Sequence, residues 1–184
     1  MVRGEQVMSL LLFFLPLSLP RLNDHSHFIP TFADKGKNNM RLSDKWFMAL
    51  SENEAGQLIT LQGRDELSEF KTCGKLKERV EVTWPYESSD KGLPSEALAE
   101  QMESVEAALR KAMEKDKLAI LSGVYTGGGE KVWVFYTRTT RVFGERLNEA
   151  LAPFEQLPIT LYAELDPEWE EYQDLYEMKQ WAID

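Results

Sequence analysis

The sequence predicts one α+β domain: a ferredoxin-like βαββαβ core over about residues 80–165, preceded by a β-hairpin and followed by a C-terminal helix. Three observations carry that prediction. Val80-Glu81-Val82-Thr83-Trp84 alternates with a period of two, the pattern of a half-buried strand. Between Ser95 and Lys115, apolar Leu98, Met102, Val105, Leu109 and Ala112 recur every three or four residues, the single stripe of a surface helix. Two strands, a second helix and a last strand come after it, and right-handed crossovers place both helices on one face of an antiparallel sheet.

Lys45–Leu50 and Gln57–Gln62 read as short strands, and the turn composition of residues 51–56 makes them a hairpin at a sheet edge or over one end. Arg64–Phe70 reads as a short helix with Leu67 and Phe70 inward. Pro85 ends the central strand, and Pro94 stands at or near the first position of the long helix. Glu96, Glu100 and Glu103 lie early in that helix and Lys111 and Lys115 late, as its dipole favours. Leu118–Thr126 and Lys131–Thr137 are strands joined through Gly127-Gly128-Gly129, where glycine supplies positive φ. Thr139 or Thr140 caps a helix to about Ala152, with Phe143, Leu147, Ala150 and Leu151 on its apolar face. Ile159–Leu165 is the last strand. Asp166-Pro167-Glu168 then reads as an N-cap, a proline at the first helical position and an early acid.

Residues 1–39 differ in character from the rest of the chain. Val7–Leu19 is an apolar run of about 13 residues, short of the roughly 20 that span a bilayer. Arg3 ahead of it suggests a signal peptide, whereas Glu5 and the poor cleavage context after Leu19 argue against one. The amphipathic pattern starts just after Met40, and Lys35–Asn39 has the coding capacity for a ribosome-binding sequence, so Met40 is the expected start and residues 1–39 an over-extension. A structured arm is the third reading. The expected location is cytoplasmic, or exported if Val7–Leu19 acts as a signal segment. Contact with a membrane is expected only if that run is real.

Charge and residue inventory exclude several chemistries. The chain has 184 residues, with 21 Lys+Arg against 31 Asp+Glu. Setting aside Arg3, Arg21, Lys35, Lys37, Glu5, Asp24 and Asp34 leaves 17 basic and 28 acidic residues after position 39, a net charge of −11. Direct nucleic-acid binding, which draws on Lys and Arg against phosphates, is disfavoured. Both histidines, His25 and His27, lie in the extension, so residues 40–184 hold no histidine base or histidine metal ligand. The single cysteine, Cys73, rules out an intramolecular disulfide.

Five features invite a chemical reading. The triple glycine resembles a phosphate cradle, yet it joins two strands and no Lys-Ser/Thr comes after it, which fits a hairpin. Cys73 has Lys71, Lys75 and Lys77 near it in sequence but no histidine to activate it. Asp166, Glu168, Glu170, Glu171 and Asp174 crowd one segment that can serve acid–base or divalent-metal chemistry, although early helical acids usually serve the dipole. Trp84, Trp133, Phe135 and Tyr136 alternate on strands, where exposed rings can stack bases and buried ones form core. Arg138 and Arg141 flank a helix start and can hold an anion or pair with a glutamate.

The closing Asp166-Pro167-Glu168-Trp169-Glu170-Glu171-Tyr172 resembles the signature of the bacterial domain of unknown function family 695. Trp46 with Glu52-Asn53, Val82-Thr83-Trp84-Pro85-Tyr86 with Gly92-Leu93-Pro94, and Val132-Trp133-Val134-Phe135-Tyr136 fit the same family, so the resemblance runs from about Leu42 to Tyr176. It begins where the fold begins, which agrees with a start at Met40. It implies a fold and no assigned reaction, so no catalytic residue carries over. Some relatives of this kind resemble partners of, or are joined to, domains like the ribonuclease E inhibitor, which implies regulation by protein binding.

The resulting expectation is an acidic, non-catalytic binding domain whose partner is a protein with a basic surface. No cofactor is expected, and an open sheet face leaves room for a homodimer. The candidate binding residues are Trp84, Tyr136, Arg138, Arg141, Asp166, Trp169, Glu170 and Tyr172. The alternative is a carboxylate-based enzyme, such as a metal-dependent hydrolase.

Overall fold

Six strands form one antiparallel sheet in the computed structural model, which describes residues 40–88 and 91–183. The expectations placed on Val7–Leu19, His25 and His27 lie outside the described residues. The strands are β1 (Trp46–Glu52), β2 (Leu58–Arg64), β3 (Glu78–Pro85), β4 (Ala119–Gly127), β5 (Glu130–Thr137) and β6 (Thr160–Leu165), in spatial order β1-β2-β4-β5-β3-β6. The helices are α1 (Ser68–Thr72), α2 (Glu96–Glu114), α3 (Thr140–Leu151) and α4 (Glu170–Glu177), followed by a 3-10 turn at Met178–Trp181. The opening hairpin adds its strands at an edge: β2 pairs with β4, register Leu61 to Tyr125.

Sequence periodicity decides which face each side chain meets. Val80, Val82 and Trp84 of β3 and Trp133 and Phe135 of β5 point to one face. There α2 brings Met102, Val105, Leu109 and Met113, and α3 brings Phe143 and Leu147. This is the main core. Burying each such side chain contributes roughly 1.5–3 kcal/mol. Ser95 caps α2, its hydroxyl accepting from the Leu98 amide, so Pro94 stands just outside the helix.

β4 needs a correction of phase to serve both faces. Leu121 pairs with Phe135 and Gly123 with Val134, which leaves Ser122 as an extra residue. This bulge returns Val124 to the main core and turns Gly123 and Tyr125 to the opposite face. The Ser122 hydroxyl donates to the Val134 carbonyl.

On that opposite face, α1 and α4 cover only part of the sheet. Leu67, Phe70 and Leu76 pack with Ile120, Tyr136, Trp169 and Tyr172. Leu175 packs with Phe47 and Leu61. A side chain at position 123 would meet Leu175, so glycine there lets α4 sit against the strand.

Two helix starts differ from expectation. α1 begins at Ser68 rather than Arg64, since Arg64 completes β2 and Glu66 takes a positive φ of 61°. α4 begins at Glu170 rather than Pro167. Its N-cap position is Trp169, in a left-handed conformation with φ 56°. Asp166 nevertheless caps the helix from a turn away, accepting from the Glu170 amide at 2.9 Å and the Glu171 amide at 3.4 Å. Among the described residues, no helix is long and apolar enough to cross a membrane.

Candidate functional site

The Asp166–Tyr172 segment fixes α4 to the sheet. Trp169 is fully buried and stacks on Tyr136, ring centroids 3.9 Å apart and planes 5° from parallel. Its indole Nε1 donates to the Leu76 carbonyl at 2.7 Å. The Tyr136 hydroxyl donates to Asp166 Oδ2 at 2.6 Å and lies 3.3 Å from the Tyr172 amide, which donates to it. Burial, then the Asp166 hydrogen bond, pushes the Tyr136 phenol far up. Tyr172 Oη donates to the Arg64 carbonyl at 2.7 Å and borders a cavity of about 380 Å³ between α1 and α4. Four candidate residues therefore form one buried lock: Tyr136, Asp166, Trp169 and Tyr172. Their oxygens and nitrogens are spent on one another and on backbone.

The other candidates lie elsewhere. Trp84 is buried in the main core, its ring 6.3 Å from that of Trp133. Trp133 Nε1 donates to Glu106. Arg138, Arg141 and Glu170 are exposed. Arg141 pairs with Glu145 one turn along α3. The amide of Thr140 donates to Glu78 Oε2 at 2.6 Å, so a carboxylate of this chain already occupies the start of α3. Cys73 closes α1, its thiol against the Phe70 carbonyl. The triple glycine forms the β4–β5 hairpin. Among the described residues, no group of three or more His, Cys, Asp or Glu is placed to hold a metal ion.

Periodicity also yields a site that the motifs did not single out. On the face opposite α2 and α3, beside the start of α4, a cavity of about 270 Å³ opens on the sheet. Ile59, Val132, Val134 and Tyr125 line it, with Glu81, Glu130 and Glu171. Each comes from a strand position of the right parity, except Glu171, which leans over from α4. Arg79, buried beside this cavity, bridges the acids. It reaches Glu171 Oε2 and Glu164 Oε1 at 2.6 Å each, and Glu81 Oε1 at 3.1 Å. Burial pulls the guanidinium down, but Glu81, Glu164 and Glu171 outweigh it and hold its pKa above the ordinary value. Tyr125 Oη donates to Glu171 Oε1 at 2.8 Å, and burial with that acid raises the phenol far above its usual range. The legible signal was Arg79-Val80-Glu81, a charged pair on the alternate face of an otherwise apolar strand.

One cation serves three carboxylates here, and Glu81 is the least compensated. Burial raises its pKa, Arg79 pulls it back, and Glu171, Glu164 and Glu130 add to the rise. A raised folded value means the fold prefers the protonated acid. The stability this gives is complete below the ordinary carboxylate value and lost as pH rises through the folded one. Ionised Glu81 therefore costs stability at neutral pH. Glu81→Gln is expected to stabilise the protein at pH 7 by roughly 0.5 kcal/mol or more, about 1–2 °C in Tm. The gain should fade near pH 4. Thermal melts at both pH values check it, and a loss at pH 7 would show that the Arg79 contact outweighs burial.

The fold and this face define an α+β protein with one sheet face sealed by helices and the other left partly bare over an acid-rimmed apolar floor. The chain belongs to the family of unknown function DUF695, whose model matches residues 44–176. No curated protein matches it.

Proposed function

We propose that this protein is a non-catalytic binding domain that receives a basic segment of a partner protein on the bare half of its sheet. The observation that carries this reading is the composition of the 270 Å³ cavity: an aliphatic floor with Glu81, Glu130 and Glu171 around it. Apolar floor gives affinity, and acid at the rim selects basic partners and speeds their encounter. The cavity is partly open to solvent, which suits a chain segment better than a fully enclosed metabolite. The net charge of −10 adds a field of the same sign. We read the β3-α2-β4-β5-α3-β6 unit as ferredoxin-like, supported by the order β4-β5-β3-β6 and by both helices packing on one face. Residues of the buried lock then serve the site indirectly, by placing Glu171 over the floor.

A photo-crosslinking residue at Val132, compared with one at Lys111 on α2, tests the reading in cells. The expected result is an adduct from position 132 that is absent from position 111. Its cross-linked peptide should be rich in Lys and Arg. It should fall about tenfold on Glu130→Lys substitution, and fall again with added salt during cross-linking in extract. Equal adducts from both positions, or an adduct indifferent to Glu130→Lys, would overturn it.

A further inference from the structure

We infer that β6 is a docking edge: an extended segment of a partner protein, alternating basic and apolar residues, adds to it as a further antiparallel strand. This contact goes beyond the cavity reading, because it is made backbone to backbone at the rim of the sheet, and it stands on separate observations.

The sheet ends in two edge strands, β1 and β6. The 3-10 turn after α4 packs beside β1, and the Ile183 amide donates to the Met48 carbonyl at 2.9 Å, so that edge is partly covered. The ladder between β3 and β6 decides which backbone groups of β6 are open. The Asp166 amide donates to the Lys77 carbonyl at 2.8 Å, one step beyond the Glu78–Leu165 pair. Hydrogen-bonded and non-bonded pairs alternate along an antiparallel ladder. Thr160, Tyr162 and Glu164 therefore turn their backbone groups to β3, and Leu161, Ala163 and Leu165 turn theirs outward. The Tyr86 amide donates to the Gly129 carbonyl at 2.7 Å, which sets the same phase from the β5 side of β3. Among the described residues, no hydrogen bond reaches the outward groups of Leu161, Ala163 and Leu165. Ala163 is exposed, and Leu165 is 72% exposed. β6 contains no proline and no lysine and pairs with β3 without a bulge, so the charge of Glu164 is what guards this edge.

Charge then chooses the occupant. From Leu147 to Met178, a stretch that contains β6 and both its connections, the chain has nine acids and no Lys, Arg or His. Glu164 is 43% exposed on the α4 face of the edge. A second copy pairing its own β6 here would bring a second Glu164 to the same face, and like charges repel. A basic strand is attracted instead. Strand parity assigns its side chains. Residues opposite Tyr162 and Glu164 share the α4 face with these acids and are basic. Residues opposite Leu161, Ala163 and Leu165 lie on the other face, where Leu161 packs against the main core and Leu165 is bare, and are apolar. The apolar residues are also the ones whose backbone bonds to β6. Strand addition of this kind takes affinity from main-chain hydrogen bonds and specificity from alternate side chains.

The test titrates the isotopically labelled full chain with a capped heptapeptide that alternates lysine and valine, lysine at both ends. Its valines then face Leu161, Ala163 and Leu165. Free protein should exchange those three amides faster than the amides of Tyr162 and Glu164. Saturating peptide should slow the three by on the order of tenfold. A peptide N-methylated at its valines should bind on the order of tenfold more weakly, and one N-methylated at its inner lysines within about threefold of the parent. A glutamate–valine peptide should bind on the order of tenfold more weakly as well. Every change is in the peptide, so misfolding of a variant cannot mimic a result. Equal binding of the valine-methylated peptide would leave charge alone as the attraction and overturn the strand. Equal binding of the glutamate peptide would overturn the basic occupant. The inference also falls if the three amides gain no protection, or if they gain it without peptide as protein concentration rises, since a second copy would then hold the edge. If cross-linking at Val132 still depends on Glu130 in any of these events, the cavity reading stands and only the edge assignment falls.

Discussion

Trp169→Ala is expected to cost about 3–5 kcal/mol, the range for removing a fully buried large aromatic side chain. Three losses combine. The stacked contact with Tyr136 and the edge contact with Tyr172 at 5.7 Å disappear. The Leu76 carbonyl loses the indole donor. Position 169 keeps its left-handed backbone, which alanine tolerates no better than tryptophan, so no strain is recovered. Urea unfolding measures the cost. Amide exchange at Glu170–Leu175 should accelerate more than exchange in α2, because α4 is held to the sheet by this ring. A loss under about 1 kcal/mol would mean that Trp169 is not the anchor and would restore a direct ligand role for it. With α4 loosened, Glu171 no longer sits over the cavity, so binding there should weaken in parallel.

How much of this was legible in the sequence depends on the range of the interaction concerned. Val80–Trp84 and the α2 stripe were readable because a period of two or of about 3.6 is a local signal, and burial obeyed it: Val82, Met102, Val105 and Leu109 are all fully buried. The start of α4 was not readable. Asp166-Pro167-Glu168 has the local grammar of a helix start, but the Trp169 ring, seated between Tyr136 and the Leu76 carbonyl, holds its own backbone left-handed and delays the helix to Glu170. Tertiary contacts from distant parts of the chain outrank the local preference. The Ser122 bulge was hidden for a similar reason, since its cause is register against β5 and its effect is to change which residues share a face. Chemical type, which marks the candidate residues in the sequence, does not reveal burial: Trp84, Tyr136, Asp166, Trp169 and Tyr172 are inside. The acid-rimmed face was implicit in the alternation of β3 and β5 but needed the strand order to bring Glu81, Val134 and Tyr125 together.

Arg79→Met carries the second large effect, and its pH dependence separates an electrostatic role from a packing one. The Arg79 side chain is nine-tenths buried, and its three acids become a cluster of uncompensated charge without it. Breaking a fully buried pair costs about 3–5 kcal/mol. Glu164 and Glu171 retain 43% and 31% exposure, so water takes up part of the loss and about 2–3 kcal/mol is expected at pH 7. Methionine fills much of the arginine stem's volume, which keeps the packing term small. The buried Nε of Arg79 has no hydrogen-bond partner, so removing the residue also removes one desolvated donor and trims the cost. The sign of the pH dependence is set by Glu81. Its pKa is already raised by burial, with Arg79 opposing that rise, and losing Arg79 lifts it further. The protonated acid is thus favoured over a wider range, and the variant should approach wild-type stability as pH falls towards about 4, where carboxylates neutralise. Urea midpoints at pH 7 and pH 4 would show the deficit shrinking by more than half. A deficit that is the same at both pH values would assign Arg79 to packing alone and remove the electrostatic account of this face. Arg79→Lys should fall between the two, because a single ammonium cannot reach Glu164 and Glu171 through separate prongs as the guanidinium does.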